Sequence, residues 1–467
     1  MRTTVSRVIE RRWPLPVPER IPAWARPRDG RGSLAVLAIV IGAGAGGGAI
    51  VFRWLITTFT RLLSGHPDYS GLGHVPNPHV PWLGPYFVLL APVAAGLLYG
   101  PLVSRFAPEA RGHGVPEVMY AVAERGGRIP PQVTVVKALA SALCIGGGGS
   151  VGREGPIVQI GSAWGSSVGR LTGVPAHRLR ILVACGAAGG IAATFNAPLA
   201  GPFFAMELIL REFTVESFGA VVLSSVTATV IGRAAFGSAP FLTLPAFTLR
   251  SGWEYLIFAV LGVVIGAVGV GFTRLLYLIE DACDWAWRGP EWLRPAVGGP
   301  ALGALLLVLP QMYGVGYPVL ANAIDGKYVL WMLLILMVGK MIATSLTIGI
   351  GGSGGVFAPS LFIGAMGGTA FGIVVHQLFP AVTAAPGMYG LIGMGAAFAG
   401  ATRAAITGVI ILFELTGEYT IILPLMLAIV LATGTSQLLS RETIYTLKLA
   451  RRGVHLGAPP RPQPAAA

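Results

Sequence analysis

The sequence predicts an all-α polytopic membrane protein built as an internal repeat of tilted and broken helices. Three observations carry that expectation. Charged residues make up 11% of the 467 residues and the apolar set 54%, with mean hydropathy +0.71. The apolar runs are cut by glycine and proline, and the second half of the chain echoes the first. A soluble domain carries about 25% charged residues, so this chain has too little charge to cover a soluble surface of its size. It is also too apolar to be disordered, and its three cysteines do not make a disulfide scaffold.

The apolar runs follow in order at roughly 34–63, 85–104, 132–146, 156–170, 180–210, 217–235, 254–280, 296–310, 328–349, 359–378, 388–415 and 420–440. Several are shorter than the ~20 residues that span hydrocarbon. Breaks at Gly146 to Gly149, Pro156, Pro198, Gly349 to Gly355 and Pro359 interrupt them. Backbone that leaves the helix at membrane depth survives only inside protein or beside water.

The repeat is read by laying Lys137–Ala163 on Lys340–Met366 without a gap. Lys137/Lys340, Gly146/Gly349, Gly148/Gly351, Ser150/Ser353, Gly152/Gly355, Pro156/Pro359 and Gly161/Gly364 coincide. Upstream, Gly112-His113-Gly114-Val115-Pro116 is echoed by Gly314-Val315-Gly316-Tyr317-Pro318, and Val40 to Ala43 by Val264 to Ala267. Downstream, Ala197, Gly201, Glu207 and Leu208 are echoed by Ala404, Gly408, Glu414 and Leu415. Repeats with broken helices in matching positions point to a transporter fold with its site where the halves meet. The expected organisation is a basic segment 1–32, a first repeat 33–247, a second repeat 248–446 and a short disordered tail 447–467.

Net charge is +13, from 33 basic and 20 acidic residues. It gathers at the ends, in Arg2, Arg7, Arg11, Arg12, Arg20, Arg26, Arg28 and Arg31, and again in Arg441, Lys448, Arg451, Arg452 and Arg461. This positive-inside pattern predicts cytoplasmic termini and an even number of crossings. Nucleic acid would ask for a basic stripe instead. The N-terminus, filled with charges and prolines, is not expected to be a signal peptide.

The broken segments carry the chemistry. Gly146 to Pro156 is a flexible loop leading into a proline-containing helix start, and Gly351 to Pro359 repeats it. Proline in the first turn is favourable because its missing N–H is an orphan there anyway. The first helical N–H groups and the helix dipole make an anion site with no fixed full charge. Gly112 to Pro116 is a third such start. His113, Gly114, Arg153 and Gly155 belong to the first two starts in the chain and are expected to meet a small anion, held weakly at several stops. Glu154 stands out in this apolar stretch. An ionised acid at bilayer depth costs about 2.5–3.5 kcal/mol on insertion scales. It can occupy the anion site as a tethered anion and open the path when protonated, or serve as a structural acid paired with Arg153.

Gly112 to Pro116, Gly152-Arg153-Glu154-Gly155-Pro156 and Gly355-Val356-Phe357-Ala358-Pro359 resemble, in order and spacing, the signature segments of the CLC family of chloride channels and exchangers. Phe195-Asn196-Ala197-Pro198-Leu199-Ala200-Gly201 and Tyr445 fit the same pattern, and the resemblance spans about residues 34–450. It implies an inverted-repeat helical fold and a homodimer in the cell membrane, with a pathway in each subunit for chloride and, in exchangers, protons. By motif match Glu154 would be the gating glutamate. Val356 and Phe357 N–H groups would hold the central anion, and the Tyr445 hydroxyl would donate from the inner side.

Two departures stand out. His113 occupies the centre of the first segment, where many chloride-selective members have serine, and histidine can donate, accept or carry charge. Its ring either lines the path or turns away. Exchangers commonly carry two adjacent glutamates where this chain reads Glu207-Leu208. Glu207 has its echo in Glu414, which favours a structural role for both, and Leu208 cannot pass a proton. A channel-like, uncoupled pathway is therefore the alternative to exchange.

Other features read blandly. Gly42 to Gly47 matches a dinucleotide-binding glycine pattern, but the next acid is Asp68 and the flanks are membrane-like, so close helix packing is expected. His66, His74 and His79 fit no standard metal spacing. Cys144 and Cys185 read as small core residues, and Trp285, Trp287 and Trp292 as an interfacial belt. No Walker loop, zinc-hydrolase pattern or nucleophile–base pair appears, so no cofactor, metal or enzymatic activity is expected. An intramembrane enzyme using Glu154 with a histidine is the reading from another class. With a tail of about twenty residues after Leu447, the paired regulatory domains that some members of that family append are not expected.

Overall fold

A computed structural model describes residues 31–238 and 249–456. Residues 1–30 of the basic segment, the boundary expected at 247/248, and the tail from 457 lie outside the described residues. Among the described residues there are seventeen α-helices and no strand. They are α1 (Arg31–Ser64), α2 (Phe87–Phe106), α3 (Val115–Glu124), α4 (Gln132–Gly146), α5 (Glu154–Leu171), α6 (Ala176–Phe195), α7 (Ala200–Phe204) and α8 (Val215–Phe236). Then come α9 (Glu254–Ala286), α10 (Arg294–Val308), α11 (Tyr317–Ile324), α12 (Leu330–Gly349), α13 (Phe357–Leu378), α14 (Pro386–Thr402), α15 (Ala405–Thr416), α16 (Ile422–Leu439) and α17 (Thr446–Ala450). Eight helical segments among the described residues are long and apolar enough to cross a membrane.

Helices α1 to α8 correspond in order to α9 to α16, which is the repeat read from sequence. Backbone conformation repeats with it. Gly148 and Gly351 close α4 and α12 at φ 97° and 96°, and Gly114 and Gly316 precede α3 and α11 at φ 86° and 90°. A side chain would be strained at each. The correspondence extends to unlike residues: Asn196 after α6 and Arg403 after α14 share the left-handed region at φ 58° and 59°. The halves also meet through equivalent residues. Gly152 N–H donates to Gly355 O and Gly355 N–H to Gly152 O, both at 2.7 Å, in antiparallel sense. A reciprocal antiparallel pair of equivalent residues is what an inverted repeat produces across its pseudo-two-fold axis.

Small residues set the packing. A Cβ on Gly161 of α5 would fall 2.1 Å from Gly186 O of α6, and its repeat partner Gly364 of α13 would strike Gly393 O of α14 at 2.2 Å. With lipid on one side and protein on the other, such close backbone approach is what drives helix association. The Gly42 to Gly47 stretch behaves likewise, inside α1, where a Cβ on Gly42 would meet Ser224 O of α8 at 2.3 Å.

Two buried lysines, repeat partners on α4 and α12, tie down the loops ahead of α3 and α11. Lys137 Nζ donates to Ala110 O and Gly112 O, each at 2.8 Å. Lys340 Nζ donates to Ser150 Oγ at 2.9 Å, Gly314 O at 2.9 Å and Val315 O at 3.0 Å. A charge this deep survives only when its protons are taken up in this way.

The segment expected to be a disordered tail from 447 begins as α17, and its order reaches past 446. Arg451 makes a two-pronged ion pair with Asp281 at 2.6 and 2.9 Å, Arg452 pairs with Glu117 at 2.6 Å, and Lys448 pairs with Glu280. These pairs draw α17 onto α9 and α3, and the composition of the tail alone did not reveal them.

Candidate functional site

Four helix starts meet where the halves join. At the first, a Cβ on Gly155 would lie 2.1 Å from His113 O, and one on Gly114 would lie 2.7 Å from Gly155 O. The beginnings of α3 and α5 therefore touch backbone to backbone, which only glycine permits. Gly112 N–H donates to Gly352 O at 3.0 Å and Gly354 N–H to Gly112 O at 3.2 Å, which brings in the start of α13. The fourth start, α11, joins through its first residue, Tyr317.

Glu154 is the first residue of α5 and is 1% exposed. Its Oε1 accepts a hydrogen bond from the Tyr317 hydroxyl at 2.5 Å. Its Oε2 makes no hydrogen bond of good geometry and lies against Gly152, whose added Cβ would come within 2.2 Å of it. The Ala358 N and Cβ of α13 lie 3.2 Å from that same added Cβ. The carboxylate thus occupies the space between the positive ends of α5 and α13, where the dipoles favour an anion. The Arg153 guanidinium stands 5.3 Å from the centre of the Tyr317 ring, so arginine, tyrosine and glutamate form one unit.

Val356 and Phe357 are each 1% exposed at the start of α13. The loop's backbone bonds end with Gly355 N–H on Gly152 O, and the next is Ser360 N–H on Val356 O at 3.0 Å. The N–H groups of Val356 and Phe357 lie between them, among the orphan donors of a helix start. The Phe357 ring lies beside those of Phe195 at 5.5 Å and Phe398 at 4.7 Å. Tyr445 is buried just ahead of α17. Its neighbour Ile444 is fixed from both sides, by its N–H on Ala401 O at 2.9 Å and by the Tyr277 hydroxyl on Ile444 O at 2.6 Å.

The His113 ring is buried 6.2 Å from the Tyr277 ring, and neither of its nitrogens has a hydrogen-bond partner. Lys137, Lys448 and Arg452 are the charged groups that act on it. The ring therefore lies toward α9 and α17, on the side of Tyr445, whereas Tyr317 and Arg153 are gathered around Glu154.

Glu207 and Leu208 lie on a π-helical turn, Ala205–Leu210, that continues α7. Glu207 accepts from Ile406 N–H at 3.1 Å, Thr407 N–H at 2.8 Å and Thr407 hydroxyl at 2.7 Å. It therefore caps the start of α15. Glu414, on α15, returns the favour by accepting from Leu199 N–H at 2.9 Å and Ala200 N–H at 2.7 Å at the start of α7. Leu208 is buried beside it. The echo of the two glutamates was visible in sequence; their exchange of helix ends was not, because it joins residues about two hundred positions apart. Tyr317 was missed as a functional residue for a similar reason: its repeat counterpart is Val115, so the symmetry that exposed the loops concealed this side chain. The histidines of the loop after α1 each bind a separate backbone carbonyl, His66 on Ser64, His74 on Leu307 and His79 on Arg61.

A duplicated helical bundle whose broken helix starts converge on a buried acid defines a membrane transport protein. The chain belongs to the voltage-gated chloride channel family, whose model matches residues 95–437. It is 35% identical over 392 residues to a ClcB-like protein of Ralstonia nicotianae, covering 82% of this chain and 90% of that one. It is 38% identical over 363 residues to the H(+)/Cl(-) exchange transporter ClcA of Vibrio campbellii, covering 75% and 76%. The crystal structure of a slow cyanobacterial Cl−/H+ antiporter superposes with a TM-score of 0.79 at 27% identity, over 91% of this chain and 99% of that one.

Proposed function

We propose that this chain moves chloride, or a similar small anion, across the membrane through a pathway gated by Glu154. The observation that carries the reading is the seat of that carboxylate. It fills an anion position between the starts of α5 and α13, and only one side-chain donor holds it. Ionised, it is a tethered competitor for the transported anion. Protonated, it loses its attraction to the helix ends and leaves. Backbone N–H groups of Val356 and Phe357 then hold the anion centrally, with Gly114, Gly155 and Arg153 contributing at the neighbouring starts. His113 and Tyr445 border the inner end.

The family and the exchange transporters among its relatives support chloride as substrate and protons as a partner ion. The protein acts as a homodimer in the plasma membrane, with a pathway in each subunit, the repeat halves 33–247 and 248–446 forming each pathway together. Both arginine-rich termini lie in the cytoplasm.

Chloride efflux from proteoliposomes containing only this protein tests the reading; silence from folded protein rejects it, and with it the preference over an intramembrane enzyme. A second reading, uncoupled anion flow, is favoured by one observation. Glu207 is committed to three hydrogen bonds at α15 and Leu208 follows it, so neither residue offers an inner proton relay. Proton uptake by vesicles under an imposed chloride gradient decides between them: uphill proton movement refutes the uncoupled reading, and its absence refutes exchange.

A further inference from the structure

We propose that the Tyr317 hydroxyl is the latch that keeps Glu154 seated in the pathway, so that this single bond sets the proton concentration at which the path opens. The inference rests on Glu154 being the gate. It is argued from the unlike treatment of the two carboxylate oxygens. Oε1 receives the phenol at 2.5 Å, while Oε2 makes no hydrogen bond of good geometry. Breaking one bond therefore releases the side chain from the phenol that holds it.

The phenol itself is held firmly. Its ring lies under the Arg153 guanidinium at 5.3 Å. Its loop is fixed by Lys340, which donates to Gly314 O and Val315 O, three and two residues upstream, and ties them to Ser150 of the other half. Tyr317 also opens α11, so its backbone position is set by Gly316 at φ 90° and by Pro318 in the first turn. A rigid donor aimed at a mobile acceptor is the geometry of a latch. A hydroxyl bonded to an ionised carboxylate is among the stronger hydrogen bonds in proteins, and it favours the charged form.

The charged and titratable groups around Glu154 come from every element packed there. They are Arg153 on its own helix start, Tyr317 on α11, Lys340 on α12 and Tyr445 on α17. Arg53 on α1 and Asp68 in the loop after α1 act one step further out, on Arg153 and Lys340. Of these, Tyr317 donates a side-chain hydrogen bond to Glu154. Tyr317→Phe removes one oxygen and keeps the ring over Arg153, so the variant separates the latch from the packing.

The test is chloride efflux from proteoliposomes across a range of pH, for the wild type, Tyr317→Phe, Glu154→Gln and the double variant. Tyr317→Phe is expected to move the pH of half-maximal flux upward by about one unit or more, the size implied by losing a hydrogen bond to an ionised group. In the Glu154→Gln background the same substitution is expected to change nothing. A Tyr317→Phe profile that superimposes on the wild type, while Glu154→Gln is pH-independent, overturns the latch and leaves the gate standing. A Glu154→Gln profile that still follows the wild type overturns the gate and the latch with it.

Discussion

The carboxylates of Glu154, Glu207 and Glu414 all meet helix N-termini, and they are treated in two ways. Glu207 and Glu414 each reach across to a helix of the other half and are saturated by its first N–H groups. Glu154 sits on the first residue of its own helix, touches the start of α13, and has one side-chain donor. The first two behave as mortar between the halves. The third is held by a side-chain hydroxyl, beside the starts of its own helix and of α13. The difference teaches that the kind of donor separates them: two acids are fixed by the helix start of the other half, and the third is held by a side chain that can let go.

The comparison breaks most readily through stability. Glu207→Ala or Glu414→Ala takes the acceptor from two helix-start N–H groups of the other half, a lost cap that costs about 0.5–2 kcal/mol. The expected result is a fall of several degrees in the melting temperature in detergent. Glu154→Gln is expected to leave the melting temperature unchanged within a degree or two, because a buried charge is replaced by a neutral amide of the same shape. Equal losses for all three acids would remove the distinction. Next in size is Leu208→Glu. It places an acid on the π-turn beside a Glu207 that stays engaged at α15, and it is expected to increase proton movement per chloride in vesicles under a chloride gradient. No change would show that this turn does not border the proton route. The smallest effect is expected from His113→Ser. The ring's nitrogens have no partners to lose, so stability changes little, while the halide and nitrate permeability series shifts by a few fold. An unaltered series would mean that His113 does not face the anion.

Much of this was legible in the sequence, for physical reasons that differ from residue to residue. Lys137 and Lys340 were conspicuous because a lysine in an apolar run must satisfy its charge internally, and both do so on the carbonyls of a broken loop. Gly114, Gly155, Gly152 and Gly355 could be read because backbone touches backbone there, leaving no space for a Cβ. Glu154 could be read because an acid at that depth is expensive. The Asn196/Arg403 correspondence escaped notice because two unlike residues adopt one left-handed conformation, and identity matching cannot see that. The Tyr317–Glu154 bond and the crossed capping by Glu207 and Glu414 escaped because each depends on how the halves dock. The order within α17 was hidden in the same way, since its charges look like a solvated tail until Asp281, Glu280 and Glu117 are brought beside them.

The central claim is that Glu154 is the one acid of the three whose protonation opens the path. Its most direct test is the pH dependence of chloride efflux from proteoliposomes, measured side by side for the wild type, Glu154→Gln and Glu414→Gln. The account predicts flux that rises on acidification in the wild type and in Glu414→Gln, and flux that is high and independent of pH in Glu154→Gln. A Glu154→Gln variant that keeps the wild-type pH dependence, or a Glu414→Gln variant that loses it, would contradict the account.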